Sequence, residues 1–172
     1  VPTGTTNRTV WVGSEGHPPE STSNTPNTQG NPTQGTQTTT VQISDGNDDV
    51  EEEDDGEVDM DSSDLELHAD GSDEQTIGLL FRDLGIGVGS TIHSAYVQFT
   101  TDEVNLEPTS VTIYGEASGS AAPFSNSDFN VTSRKQTTAS VTWTPQPWTT
   151  VGLATSAQRT PDLAAIVQEI VD

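Results

Sequence analysis

The sequence predicts an all-β fold, a β-sandwich or barrel with one C-terminal helix, preceded by a disordered linker. From Gln75 onward, short stretches alternate aliphatic and polar residues and are separated by Gly, Pro, Asn and Asp. This alternation is typical of the strands of a sandwich or barrel. Upstream, residues 14–40 contain no aliphatic residue, so they cannot bury enough apolar surface to fold alone.

The strands are predicted from residues that point to one face at every second position. Val41–Ser44 is the first strand of the set, and 91–100, 109–116 and 140–144 follow the strand that ends at Phe81. The inward residues are Ile77, Leu79 and Phe81 in one strand, Ala95, Val97 and Phe99 in the next, then Val111 and Ile113, and finally Val141 and Trp143.

One helix is predicted at the end of the chain. Thr160-Pro161-Asp162 combines a helix N-cap residue, a proline suited to the first helical position and an acid for the first turn. Leu163, Ile166, Val167 and Ile170 then follow helical spacing. We expect this helix to pack across one end of the sandwich.

The chain divides into three parts. Within residues 1–13, Thr9–Val12 alternates like a strand and is the end of a preceding domain, a donor strand or simply an apolar tail. Residues 14–40, rich in Thr, Pro, Gln and Asn, are the predicted linker. Residues 41–172 are the sandwich module. It looks truncated, because the chain stops inside the helical pattern.

Charge and composition exclude several classes of partner. The net charge is -22, so nucleic acid and anionic membrane surfaces should repel the chain. No apolar run is long enough to insert into a membrane. Cysteine is absent, which excludes a disulfide framework and a thiolate metal site. The acidic composition suits a saline setting, where salt screens self-repulsion.

The most unusual segment runs from Asp45 to Glu74, with 16 carboxylates in 30 residues and no Lys or Arg. The chain holds only five basic residues, all outside this segment. Either the segment is a solvated acidic face, or a cation neutralises part of it. Calcium fits best, because it prefers six to eight oxygen ligands. No EF-hand or glycine-rich repeat is complete, so ligands would come from separate segments: Asp48, Glu52, Asp64, Glu66, Asp102 and Glu103.

No catalytic constellation is evident, and we predict that the chain is not an enzyme. The nucleophile-elbow, zinc-protease and phosphate-loop motifs are absent. A pair of acids means little among 27 acidic residues. Flat aromatic rings can stack on sugars, and the candidates for carbohydrate binding are Tyr96, Tyr114 and Trp148. Trp143 alternates with polar residues and is predicted to lie in the core.

From Val41 onward, seven motifs follow one another in a characteristic order. These are DDVEE (48–52), SSDLEL (62–67), QTIGLLF (75–81), GSTIHSAYVQFTTDE (89–103), TSVTIYGEAS (109–118), SVTWTPQPWTT (140–150) and QRTPDLAAIVQEIVD (158–172). In this order the chain resembles a β-sandwich module of secreted, multi-domain bacterial proteins, the DNRLRE group related to carbohydrate-binding family 96. The chain departs from the group in its more acidic first strand and in lacking the closing strands after the helix.

The resemblance implies a jelly-roll fold, a structural calcium and attachment to secreted or cell-surface proteins. Two functions follow as expectations. The first is a non-catalytic carbohydrate-binding module, stabilised by calcium, that binds a polysaccharide. The second is a structural or adhesive module of a cell-surface or extracellular assembly, whose open sheet edge pairs with neighbouring copies by strand addition.

Overall fold

The computed structural model describes residues 8–14, 36–67, 69–70 and 73–172. This part of the chain is mostly strands with a single short α-helix, which confirms the predicted β-rich class. The strands are β1 (Arg8–Ser14), β2 (Asp49–Glu53), β3 (Val58–Asp59), β4 (Ala69–Asp70), β5 (Asp73–Phe81), β6 (Val111–Glu116) and β7 (Gln136–Trp143); a 3₁₀ turn (Ser156–Gln158) precedes α1 (Ala164–Val171).

The strands form a sheet in the order β3-β2-β5-β1-β6-β7, and β4 pairs with the start of β5. The N-terminal strand β1 lies between β5 and β6 and is parallel to both. The other pairs are antiparallel. The predicted strand at Thr9–Val12 is therefore confirmed, and its place is the centre of the sheet.

Apolar side chains cover both faces of the sheet, because successive residues of a strand point in opposite directions. Ile77 and Leu79 point to one face, whereas Leu80 points to the other. The first cluster contains Ile77, Leu79, Val111, Ile113, Trp143, Leu163 and Ile166. The second contains Val50, Val58, Leu80, Ala121, Phe124 and Val131. The inward residues predicted for β5, β6 and β7 are confirmed; the second cluster was not predicted.

A second layer of irregular, extended chain covers the first cluster. Residues 95–105 run antiparallel to residues 148–163, and the amides of Phe99 and Thr101 donate to the carbonyls of Gln158 and Leu153, both at 2.9 Å. The predicted strand at 91–100 is wrong as a regular strand, since only one isolated bridge forms in it. The partner segment turns and contains Pro161, so side chains replace part of the ladder: the amide of Val97 donates to Thr160 Oγ1 at 3.0 Å.

Helix α1 begins at Ala164 with Leu163 as its N-cap, three residues later than the predicted N-cap at Thr160. The correction follows from the second layer, which already uses the side chain of Thr160 and its amide, donated to Val97. The helix packs closely on β6 at Gly115. A Cβ there would lie 2.7 Å from Ile170 and 2.8 Å from Ile166, so the approach of the helix requires glycine.

The acidic segment forms only short strands. The predicted strand at Val41–Ser44 is wrong, although Ile43 still packs against the first cluster. Leu65 and Leu67 also pack there, as their alternation predicts. Residues 15–35 of the predicted linker lie outside the described residues, and 36–40 have no helix or strand. In the described part of the chain, no helix has the length and apolar character to cross a membrane.

Candidate functional site

Three carboxylates of the acidic segment are buried at or beside β2: Asp48, Glu51 and Glu52, each no more than 3% exposed. The chain itself compensates Asp48. The guanidinium of Arg82 donates to both carboxylate oxygens, at 2.6 to 2.9 Å. From the sequence we expected solvent or a bound cation to offset the negative charge of the acidic segment. At Asp48, one of the five basic residues of the chain offsets it instead.

Glu52 is compensated by backbone rather than by a cation. Its Oε2 accepts hydrogen bonds from the amides of Val131 at 2.6 Å and Thr132 at 3.1 Å. These amides belong to the turn that carries Val131 into the second core cluster. Glu52 therefore fixes this turn against the sheet, and its oxygens are engaged inside the protein.

Glu51 points to the opposite face of the sheet and meets Glu66. Its Oε1 accepts a hydrogen bond from the amide of Glu66 at 2.8 Å. Burial, followed by the hydrogen bond with the Glu66 side chain, raises the pKa of Glu51 to about 7. Strand β2 thus holds one acid, Glu51, that ionises near neutrality and contacts the segment at residues 63–67.

That segment forms one wall of an open cleft with a volume of about 320 Å³. Its walls come from residues 63–67, 99–107 and 145–148, with Asp49 at the start of β2. Burial, and then the charge of Asp48, raises the pKa of Asp49. Six carboxylates line the cleft: Asp49, Asp64, Glu66, Asp102, Glu103 and Glu107.

Aromatic rings also line the cleft. Phe99 and Trp148 lie there with their ring centroids 6.1 Å apart, and Trp143 stacks behind Phe99 at 5.8 Å. Trp148 is held in place by backbone hydrogen bonds exchanged with Asn105, at 2.8 and 2.9 Å. Its Nε1 donates to the carbonyl of Ala157 at 3.2 Å. The cleft therefore combines a fixed apolar surface with acidic walls.

The predicted metal ligands divide into two groups. Asp64, Glu66, Asp102 and Glu103 line the cleft, whereas Asp48 and Glu52 are engaged with Arg82 and the turn at Val131. Across the residues that the structure describes, no three His, Cys, Asp or Glu side chains lie close enough together to hold a metal ion. Acids from separate segments thus line the same cleft, but their carboxylates are spread along its walls.

The three predicted sugar-stacking residues do not share a surface. Only Trp148 lines the cleft. Tyr96 is 57% exposed, with the guanidinium of Arg159 4.7 Å from its ring centre. Tyr114 lies in β6 between the buried residues Ile113 and Gly115, so it points away from the first cluster.

Asp49, Phe99 and Glu107 also line the cleft but were not predicted as site residues. Phe99 was assigned to the core, which it does contact. The position of Glu107 beyond the strand-like segment was a usable signal, since Asp102 and Glu103 were chosen for the same reason. Nothing in the sequence distinguishes Asp49 from its acidic neighbours.

Comparison with family models, with curated proteins and with solved structures finds no match to this chain. The resemblance to the DNRLRE and family 96 modules therefore stays a prediction.

Proposed function

We propose that residues 41–172 are a non-catalytic carbohydrate-binding module of an exported, multi-domain protein, and that calcium binds in the acidic cleft. The observation that carries the proposal is the composition of the cleft. Four residues predicted as calcium ligands and one predicted to stack on sugar line the same space, although they come from three separate segments.

The proposed fold is a jelly-roll-like β-sandwich. Its first layer is the sheet, and its second is the extended chain at 95–105 with its partner at 148–163. Two features support it. The hydrogen bonds between these segments run like those of an antiparallel pair, and both segments bury apolar side chains against one face of the sheet.

Calcium is the cation that this cleft suits best. Its coordination shell is flexible and takes six to eight oxygens, so ligands on separate walls can close on it. Asp64 and Glu66 would approach from one wall, and Asp102 from the other. Ion binding would also relieve the repulsion among six carboxylates in one small space.

A polysaccharide would lie against Trp148, with calcium beside it. The ring supplies an apolar surface for a sugar face, and free carboxylate oxygens accept hydrogen bonds from hydroxyl groups. An acidic polysaccharide such as alginate would be repelled by a chain with net charge -22. Calcium can bridge the two anions, so binding to such a polymer should require the ion.

The test is a thermal melt of the full chain in EDTA, then with calcium or magnesium at matched ionic strength. A ligand that binds only the folded state raises the melting midpoint. We expect calcium to raise it, magnesium to have little effect, and D102N/E103Q to lose the response. The control is D55N/E57Q, which removes two charges from a separate shallow depression.

Gel electrophoresis with embedded alginate, run with calcium and with EDTA, tests the sugar part. Retardation only with calcium supports the module. In the thermal melts, calcium and magnesium could instead shift the midpoint equally in the unchanged chain, D102N/E103Q and D55N/E57Q. That result would mean that the acidic segment is a solvated face and would end the calcium proposal. A calcium response without retardation by any polysaccharide would end the carbohydrate proposal alone.

The second candidate is a structural or adhesive module of a cell-surface or extracellular assembly, joined to neighbouring copies by strand addition. One observation favours it: β1 lies in the centre of the sheet, parallel to both neighbours. A strand inserted in this way is the geometry that strand addition uses. Concentration-dependent association measured by sedimentation, without sugar, tests this candidate.

A further inference from the structure

The place of β1 divides the sheet into two halves. Val10 pairs with Ile77 of β5 on one side and with Ile113 of β6 on the other, within five register pairs on each side. Adjacent strands lie about 4.8 Å apart, so β5 and β6 cannot bond to each other across β1. Without β1, the sheet would have a slot with two unpaired edges at its centre.

The walls of this slot are supported without β1. Strand β5 pairs with β2, and β6 pairs with β7. Side chains from both walls, Ile77 and Ile113 among them, pack into the same core cluster. Each wall is thus fixed by other parts of the module, and the slot is complete within residues 36–172.

The connection from β1 to β2 is far longer than the space it spans. Ser14 pairs with Phe81 on one side of β5, and Asp49 pairs with Leu79 on the other side. These ends are therefore about 12 Å apart, two strand spacings across the sheet and two residues along it. Residues 15–48 join them, whereas elements that are close in space are usually joined by about two to six residues.

A long connection weakens the preference of β1 for its own sheet. The effective concentration of a tethered segment falls roughly as the −3/2 power of tether length. No short loop holds β1 beside β5. At sufficient concentration, β1 of another chain therefore competes with the chain's own β1 for the same slot. The backbone pairing is the same in either case.

We propose that β1 of one copy inserts between β5 and β6 of a second copy, parallel to both, so that exchanged N-terminal strands join copies of this chain. The inference rests on the second proposed function and names its partner and its contact surface. Each exchange uses the N-terminus of one copy and the slot of the next. The same contact can therefore extend into a row of molecules or close reciprocally into a dimer.

Charge makes the exchange depend on salt. Arg8, a cation, is the only charged side chain among residues 1–14, whereas the rest of the chain carries 27 acidic and four basic residues. The strand is attracted to the acidic module, but two modules repel each other. Salt screens repulsion beyond a Debye length of about 10 Å at 0.1 M. We expect exchange between copies to increase with ionic strength.

The absence of cysteine allows a direct test in the full chain. Thr9 is the register partner of Thr112 in β6, and a spacing of about 4.8 Å is within reach of a disulfide. The T9C and T112C chains are unfolded together, refolded at micromolar to millimolar concentration in low and high salt, and oxidised. Peptide mass spectrometry then identifies a disulfide between positions 9 and 112, which must join two chains.

Three controls accompany this mixture. The double variant T9C/T112C in one chain reports whether β1 occupies the slot at all. A mixture of T9C and T150C measures chance collision, because Thr150 is an exposed loop residue. The T9C/V10P chain mixed with T112C should form no such disulfide, because proline removes a ladder hydrogen bond from a central strand. Thermal melts check that each variant folds.

The proposal expects the 9–112 disulfide between chains to exceed the 9–150 product by roughly tenfold or more at high concentration and to increase with salt. It is overturned if the double variant closes fully within one chain and the mixture forms none at any concentration. It is also overturned if no chain forms a 9–112 disulfide. Association detected by sedimentation without this disulfide would overturn strand exchange and leave assembly through another surface standing.

Discussion

The carboxylate of Glu52 accepts a hydrogen bond from the amide of Val131 at 2.6 Å, across 79 residues of sequence. The next amide, that of Thr132, donates to the same oxygen. The amide of Val131 is thereby satisfied away from water, since Val131 is fully buried and Glu52 is 1% exposed. A group that the composition would assign to the surface instead joins β2 to the turn on the second core cluster.

Replacement of Glu52 tests this interpretation. E52A leaves the buried amide of Val131 without its acceptor and removes the hydrogen bond to the amide of Thr132. We expect a loss of about 2–4 kcal/mol in the free energy of unfolding. Urea denaturation followed by circular dichroism measures it. D54A removes an exposed carboxylate two positions away and should change the free energy by less than about 0.5 kcal/mol. Equal effects of the two substitutions would contradict the assigned role.

The raised pKa of Glu51 predicts that the stability of the fold depends on pH. The pKa of its carboxyl rises from an ordinary 4.5 to about 7 in the folded chain. Between these values the folded state binds more protons than the unfolded state, so the stability that Glu51 contributes falls as pH rises from 4.5 to 7. Above pH 7 this contribution stays low.

The variant E51Q keeps an oxygen for the amide of Glu66 and removes the charge. We expect it to be more stable than the unchanged chain above pH 7, on the order of 1–3 kcal/mol, and similar to it below pH 4.5. Chemical denaturation at several pH values measures the difference. A constant difference at all pH values would show that Glu51 does not titrate in this range.

Gly78 lies where two neighbours leave no room for a side chain. A Cβ at this position would lie 2.8 Å from both the Phe124 ring and Val50 Cγ2. We expect G78A to lower the free energy of unfolding by about 1–3 kcal/mol. G46A is the matched control, because a Cβ there meets nothing within 4 Å. A neutral G78A would show that Phe124 moves away freely.

Glu169 satisfies two amides of β7 where the pairing of this strand with β6 is irregular. The register between β6 and β7 shifts between Tyr114 and Glu116. On β7, opposite this shift, the Glu169 carboxylate accepts hydrogen bonds from the amides of Thr138 at 2.7 Å and Ala139 at 2.8 Å. These hydrogen bonds lower the pKa of Glu169, and the bond from the amide of Ala139 has the larger effect. The associated stability is present above the ordinary pKa of 4.5 and is lost as pH falls through the lower value.

We expect E169A to accelerate hydrogen exchange at Thr138 and Ala139 severalfold at neutral pH, with a small loss of overall stability. Amide exchange followed by NMR measures it. The difference between the variant and the unchanged chain should shrink in acid. D128N, which changes an exposed acid elsewhere, should leave both amides unaffected. Unchanged exchange in E169A would mean that solvent serves these amides equally well.

The sequence predicts the strands whose inward side chains alternate over several positions. Val111 and Ile113 are fully buried as expected, and Ile77 and Leu79 nearly so. In these strands every second aliphatic side chain removes apolar surface from water, and that signal is local. The sequence gives no such signal for β2, because Val50 is its one aliphatic residue.

The errors share a physical cause: the decisive partner is distant in sequence. Thr160 has the chemistry of a helix cap, yet Val97 uses its side chain and its backbone, so the helix begins later. Nothing near Asp48 indicates that Arg82 will meet it. Which acids line the cleft depends on how three segments assemble, and composition alone does not specify that assembly.

The parallel pairing of β1 also sets an order of events during synthesis. Val10 emerges from the ribosome well before its partners Ile77 and Ile113. Closing such long loops is entropically costly and slow. The nascent chain must therefore carry an unpaired strand until β6 has been made, a period in which it is most vulnerable to aggregation. The acidic segment from Asp45 to Glu74 is also made before β6. Repulsion between these segments on neighbouring nascent chains opposes aggregation until the sheet closes.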